Sequence, residues 1–317
     1  CIRDRKGPAA PHHVDNREGA EMPRLAYVNG RYVQHGAAAV HIEDRGYQFS
    51  DGVYEVVTIV NRRMVDEGPH LDRLERSLSE IEIPMPMTRN VLRMVMRELV
   101  RRNGVENGLL YMQITRGVSP RDHKFPDPPC IPSVVMTTRK ANFAGHSKFS
   151  DGVKVVTVPD IRWQRCDIKT VSLLPNCIGK TAAARAGAYE GWQVDADGHV
   201  TEGTSSNAWI ITKDGKLVTR PATHDILNGI TRMTILRIAK EEGIEFEERA
   251  FTVEEAQNAR EAFTSSATSF ATPVVQIDDA IIGNGHPGTI STRILESYMA
   301  YCNGDAAPED ETDAASA

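Results

Sequence analysis

Three X-Gly dipeptides, Asn29-Gly30, Asp197-Gly198 and Asp214-Gly215, each separate two short runs rich in β-branched or aromatic residues. Glycine there supplies the positive φ of a tight hairpin turn, so the flanking runs read as antiparallel pairs. The first pair is "LAYVNGRYVQ"; the others lie within "HVTEGTSSNAWIITKDGKLVTR". "GVYEVVTIVNRRMV" reads as strands around a further turn, and "LLYMQITRG", "PSVVMTT" and "VKVVTV" as single strands. Two more are expected at 261–264 and 273–277.

Between these strands lie segments with the other period. "PHLDRLERSLSEI" carries Leu71, Leu74, Leu78 and Ile81 at helical spacing. "TRNVLRMVMRELVRRNG" predicts a helix from an N-cap at Thr88 to a stop at Gly104. Further helices are expected over the Ala-rich Pro175–Glu190, after "NGIT" with Thr231 as N-cap, after a Thr252-to-Glu255 capping box, and near 289–302. The fold class is therefore α+β, in two domains. Residues 22–147 form a small N-terminal α/β domain, and "KFSDG" at 148–152 is the candidate linker. Residues 148–303 form a larger β-rich, barrel-like domain with helices outside. Residues 1–21 lack periodicity and read as a disordered extension, with the folded part beginning near Met22.

Charge narrows the function. The formal net charge of −6 is concentrated in residues 304–317, which carry five acids and no base. That run reads as an acidic disordered tail. Removing those five acids leaves −1 for the rest, with no basic stripe of the kind nucleic acid requires. No apolar run approaches the roughly 18 residues of a membrane span. Five scattered cysteines with no CxxC pair argue against a disulfide framework or a metal site, and the expected location is cytoplasmic. "GNGHPG" at 283–288 matches a dinucleotide fingerprint literally, but it follows a short hairpin strand, contains Pro287 and lacks a βαβ unit, so it reads as a turn.

In "RWQRCDIKTVSLLPN" one lysine, Lys169, sits in what reads as the end of a buried strand. Taken alone, it reads first as a surface lysine whose stem covers apolar neighbours. A Schiff-base lysine needs a desolvated amine, and pyridoxal 5'-phosphate (PLP) would add a phosphate site and an acid. "NGITR" places Gly229 and Ile230 just ahead of a helix N-terminus, where amides and dipole favour an anion. "TSSATS" at 264–269 is a hydroxyl-rich turn of the sort whose amides wrap oxyanions. Glu202 in "VTEGTSSN" is a candidate partner for a pyridine nitrogen, or else an exposed strand-end carboxylate.

"EDRGYQFSDGVYEVV", "HLDRL", "TRGVSPRDHKFP", "RCDIKTVSLL", "VTEGTSSN", "ILNGITR" and "TSSATSFATPV" occur in that order. Together they resemble the fold type IV PLP-dependent aminotransferases, specifically the D-amino-acid aminotransferases, from about residue 25 to 300. The resemblance implies that Lys169 holds PLP and carries a proton at the substrate, and that Glu202 pairs with the ring nitrogen. It implies further that Arg73, Ile230, Thr231, Ser266 and Ala267 surround the phosphate and that Leu227 packs on the ring. On the substrate side it implies a carboxylate trap of Tyr54 with Arg121 and His123, the latter two brought by the neighbouring subunit of a homodimer.

The reaction so implied moves the amino group of a D-amino acid, of the D-alanine type, to a 2-oxo acid such as 2-oxoglutarate. Alternatives on the same fold are an aminodeoxychorismate lyase-like enzyme and a branched-chain L-amino acid aminotransferase; a PLP-free scaffold is the non-enzymatic one. Two positions depart from the family pattern: Ala267 stands where a hydroxyl residue is usual, and Phe270 where glutamate is common.

Overall fold

The computed structural model describes residues 24–143 and 145–305. The expectations for residues 1–21 and for the tail lie outside those residues, apart from Gly304 and Asp305. Six strands make the first sheet: β1 (Leu25–Val28), β2 (Arg31–Gln34), β3 (Gly52–Val60), β4 (Arg63–Met64), β5 (Gly108–Thr115) and β6 (Ser133–Lys140). They lie in the order β2-β1-β6-β5-β3-β4, every pair antiparallel. The Asn29-Gly30 turn joins β1 to β2, with both residues at positive φ.

Helix α1 (Arg45–Phe49) precedes β3, and α2 (Glu67–Glu80) and α3 (Arg89–Arg102) pack on the first sheet. Leu71, Leu74 and Leu78 of α2 are almost wholly buried, each contributing about 1.5–3 kcal/mol of burial. Thr88 caps α3 by accepting from the Val91 N–H.

The second sheet holds β7 (Val153–Pro159), β8 (Glu190–Val194), β9 (Val200–Gly203), β10 (Asn207–Ile211), β11 (Leu217–Thr219), β12 (Phe246–Glu248), β13 (Glu261–Ser266), β14 (Phe270–Ile277) and β15 (Ala280–Ile281). Its order is β12-β11-β10-β13-β14-β7-β8-β9, with β15 on β14. Most pairs are antiparallel, but β7 runs parallel to both β14 and β8, and β11 runs parallel to β12. A tight turn over Thr204–Ser206 joins β9 to β10, so the sheet curls until its β9 edge meets β10. The remaining helices are α4 (Ser147–Ser150), α5 (Leu174–Arg185), α6 (Ile230–Glu241), α7 (Val253–Gln257) and α8 (Thr289–Asn303). The two sheets, each with its own helices and core, give the α+β architecture expected.

Several local expectations need correction. The Ala-rich helix ends at Arg185, and Glu190 opens β8 instead, because Gly187 at φ +67 breaks the helical run. Residues 148–150 of the candidate linker belong to a helical turn, α4, whose Phe149 stacks on Phe270 at 6.1 Å. Lys169 lies on no strand: its segment is irregular, bridging to β3 through the Tyr54 N–H to Lys169 carbonyl bond and the Val171 N–H to Gly52 carbonyl bond, both 3.0 Å. Only half the capping box forms. Thr252 accepts from the Glu255 N–H, while the Glu255 carboxylate turns to Arg249. The 283–288 stretch is a turn before α8, whose N-terminal amides at Ile290 and Ser291 are already taken by the Glu261 carboxylate.

Candidate active site

A cavity of about 250 Å³ opens where the Lys169 segment crosses between the two sheets. Lys169 is half-buried in its wall, and its ammonium lies 4.3 Å from the centroid of the Tyr54 ring, also a wall residue. The backbone bond between these two residues fixes that pairing, so the lysine's position is set by β3 although it belongs to another segment.

Glu202 lines the cavity from β9 and is only 6% exposed. It accepts from Arg162, from Asn207 Nδ2 at 3.0 Å and from the Leu227 N–H at 3.2 Å. The strand-end reading is thus corrected to a buried carboxylate. Burial pushes its carboxyl above the ordinary range, and the Arg162 charge and bond, the Leu227 amide and the Lys169 charge offset only part of that. Arg162 in turn is held by Asp160, with Nε–Oδ1 at 2.9 Å. Cys166, another wall residue, has its thiol pushed up to about 12 by burial, so it stays protonated.

Helix α6 starts at this cavity. Its N-cap is Gly229, not the expected Thr231. A Cβ there would sit 2.2 Å from Asn207 Oδ1, so any side chain would have to displace Asn207. Asn207 also donates to the Leu227 carbonyl, so one amide side chain ties Glu202 to the helix start. Ile230 and Thr231 both line the cavity, where the first turn of a helix presents N–H groups without intrahelical partners. Leu227 lines it too.

The hydroxyl-rich segment divides: Thr264–Ser266 finish β13, and only 267–269 form the turn. Ser266 Oγ accepts from the Ser269 N–H at 3.1 Å, which tightens the reversal. Thr58 of β3 donates to the Ala267 carbonyl at 2.6 Å, joining the first sheet to this turn. Ser266 and Ala267 both face the cavity.

Arg73 lines the cavity, but it is not free to turn. Its Nε and Nη2 hold Glu55 bidentately, both at 2.8 Å, and Nη1 donates to the Asn228 carbonyl at 2.9 Å. Those bonds use three of its five N–H donors. Glu55 is fully buried and also pairs with His70 Nδ1 at 2.7 Å. Burial pushes the Glu55 carboxyl up, but the Arg73 charge and bonds and the His70 contact outweigh it and hold the group well below the usual range.

Two expected residues stay away from this assembly. Arg121 and His123 are exposed, do not line the cavity, and pack instead on Phe49, at 4.9 and 5.5 Å from its ring centroid. Arg45 anchors their loop by donating to the Asp122 carbonyl at 2.6 Å. Conversely, Arg162, Asn207, Glu55 and His70 belong to the site and were not singled out from the sequence. Arg162 sits in the same "RWQRCDIK" run as Lys169 and Asn207 ends "VTEGTSSN", but nothing in spacing marks either as buried.

The donor set has a definite complement. Helix-start amides with a hydroxyl-rich turn suit a phosphate, a buried and under-compensated carboxylate suits a protonated ring nitrogen, and the amine suits an aldehyde. PLP carries those three groups, so the residues present fit it.

The family profile described as "Amino-transferase class IV" matches residues 52–277. The chain is similar to the D-alanine aminotransferase of Staphylococcus haemolyticus, 41% identical over 275 residues, covering 87% of this chain and 96% of that protein. In fold it is similar to the branched-chain amino acid aminotransferase of Escherichia coli, with a TM-score of 0.84, 23% identity, and coverage of 91% and 98% of the two chains. A further solved structure of similar fold, a hypothetical aminotransferase from Mycobacterium tuberculosis in its PLP-bound form, has a TM-score of 0.76 at 22% identity, covering 89% and 100%.

Proposed function

The chain belongs to the class IV aminotransferase family, and from that premise we propose that it moves the amino group of D-alanine, or a similar D-amino acid, to a 2-oxo acid such as 2-oxoglutarate. PLP is its cofactor, and when bound it supplies an electron sink for the substrate Cα. The observation that carries the reading is Lys169 in the wall of a cavity shared with the buried Glu202.

Lys169 would hold the cofactor at its aldehyde carbon and, when its amine is free again, would carry a proton between the substrate Cα and that carbon, a general acid–base role. Glu202 holds a proton at the ring nitrogen, and its raised basicity suits a shared proton there. Ile230, Thr231, Ser266, Ala267 and Arg73 bind the phosphate. Leu227 packs on the ring. Arg162 and Asn207 orient Glu202.

Arg121 and His123 bind the substrate carboxylate, with Tyr54, as contributions from a second copy of the chain. A homodimer with shared sites accounts for their exposure on Phe49, outside their own cavity. A guanidinium suits the bidentate grip a carboxylate needs. Four described cysteines, Cys130, Cys166, Cys177 and Cys302, are unpaired thiols, in keeping with a reducing, cytoplasmic setting.

The test mixes the purified protein with PLP, D-alanine and 2-oxoglutarate and follows pyruvate, with L-leucine as the contrasting donor. Pyruvate formation that is lost in Lys169→Ala, together with the visible absorbance of the bound cofactor, is expected. A folded protein that binds PLP but uses L-leucine in preference would overturn the substrate assignment; one that takes up no PLP would overturn the reaction.

A further inference from the structure

The two amide-lined parts of the cavity wall come from different elements, the start of α6 and the β13–β14 connection, and one buried side chain touches the supports of both. Tyr298 of α8 is 2% exposed, and its hydroxyl lies 3.2 Å from Thr231 Oγ1. Its ring lies 5.6 Å from that of Phe270. Phe270 opens β14 at φ +52, a left-handed conformation that is uncommon outside glycine. It is buried against Phe143 and Phe149, with centroids at 5.1 and 6.1 Å. That packing fixes the reversal from which Ser266 and Ala267 face the cavity.

A phosphate dianion offers only acceptor oxygens, so a neighbouring hydroxyl must donate to it. Thr231 has one O–H proton to give. If that proton went to the phenol oxygen, none would be left for an anion. Burial, and after it the neighbouring Cys302, hold the Tyr298 phenol well above its ordinary value, so it keeps its proton and can give it to Thr231 Oγ1 or to the Cys302 thiol; the thiol sulfur is the weaker acceptor, which favours Thr231. Ala267 makes the matter weightier, because the facing turn has no hydroxyl at that position.

We propose that Tyr298 is a positioning residue for the cofactor: its O–H donates to Thr231 Oγ1 and so reserves the Thr231 O–H for the phosphate. The inference rests on the reading of the cavity as a PLP site. Donation in that direction also polarises the Thr231 O–H and strengthens its own hydrogen bond.

Tyr298→Phe keeps the ring and its packing on Phe270 while removing the hydroxyl. PLP is titrated into the apo forms of wild type, Tyr298→Phe, Thr231→Val and the double variant, and urea unfolding of each apo form is recorded alongside. The expected result is a PLP Kd raised about five- to tenfold in Tyr298→Phe, the size of one hydrogen bond. In the Thr231→Val background the second substitution should add almost nothing, because the route through Thr231 is already gone. Equal binding by wild type and Tyr298→Phe overturns the inference. So do independent effects in the double variant, which a merely structural role of Tyr298 produces. Wild-type protein that takes up no PLP overturns the cavity reading along with it.

Discussion

Two buried glutamates stand beside the cavity in opposite electrostatic conditions. Glu55 sits behind the wall, gripped by Arg73 through two 2.8 Å bonds and by His70. Burial alone would push it up, but its partners outweigh burial and keep it firmly ionised. Glu202 sits in the wall, and there burial wins. The difference lies in how the arginines are shared: Arg73 gives Glu55 two of its nitrogens, whereas Arg162 grips Asp160 through Nε and Nη2 and gives Glu202 only Nη1. Burial of an acid therefore does not by itself mark a functional group. What marks Glu202 is charge left partly uncompensated next to an open space, which is where a protonated ligand gains most.

That contrast can be broken experimentally. Glu55→Gln strands the Arg73 cation and is expected to cost about 3–5 kcal/mol of stability near neutral pH. Because the folded pKa of Glu55 is depressed, its contribution is present above its ordinary 4.5 and is lost as pH falls below that value. Urea unfolding across that range should show the gap between wild type and variant closing in acid; a constant gap would refute the charge argument. Glu202→Gln should do the reverse, lowering transamination by about 10²–10³-fold while apo stability moves by less than about 1 kcal/mol. Steady-state kinetics and the same unfolding assay report both, and a stability loss as large as that of Glu55→Gln would erase the distinction.

Smaller effects sharpen the picture. Arg121→Ala should reduce kcat/KM for the amino acid by about 1.5–3 kcal/mol of transition-state binding, with PLP affinity unchanged. A parallel loss of cofactor binding would show that the loop acts structurally. Ala267→Thr should tighten PLP by about 0.5–1.5 kcal/mol, the worth of one hydrogen bond. Titration showing unchanged or weaker binding would mean that the turn has no place for the hydroxyl.

Local chemistry was legible in the sequence. The Asn29-Gly30 hairpin, the Leu71/Leu74/Leu78 face and the Thr88 cap follow from residues within a few positions of one another. Cofactor-side candidates such as Lys169, Glu202 and Thr231 line one cavity because the motif order carried them. What escaped depends on distant neighbours. Thr231 is not the cap because the helix begins before it, at a Gly229 N-cap packed against Asn207 of β10. Arg73 is a phosphate candidate in the sequence, but its hold on Glu55 from β3 is not visible there. Phe270, with no evident role in the sequence, acquires one from aromatic rings on separate elements. The end of α5 was misplaced because alanine favours helix on either side of Gly187.

The parallel placement of β7 has a consequence for how the protein is made. All six strands of the first sheet lie between Leu25 and Lys140, so that sheet is complete before most of the second exists. β7 follows at Val153–Pro159, yet its neighbour β14 ends only at Ile277. At a synthesis rate of about 5–20 residues per second, the ribosome needs roughly ten seconds to deliver it. During that interval one edge of an apolar strand waits uncovered in the nascent chain, a stage at which chaperones have the most to bind.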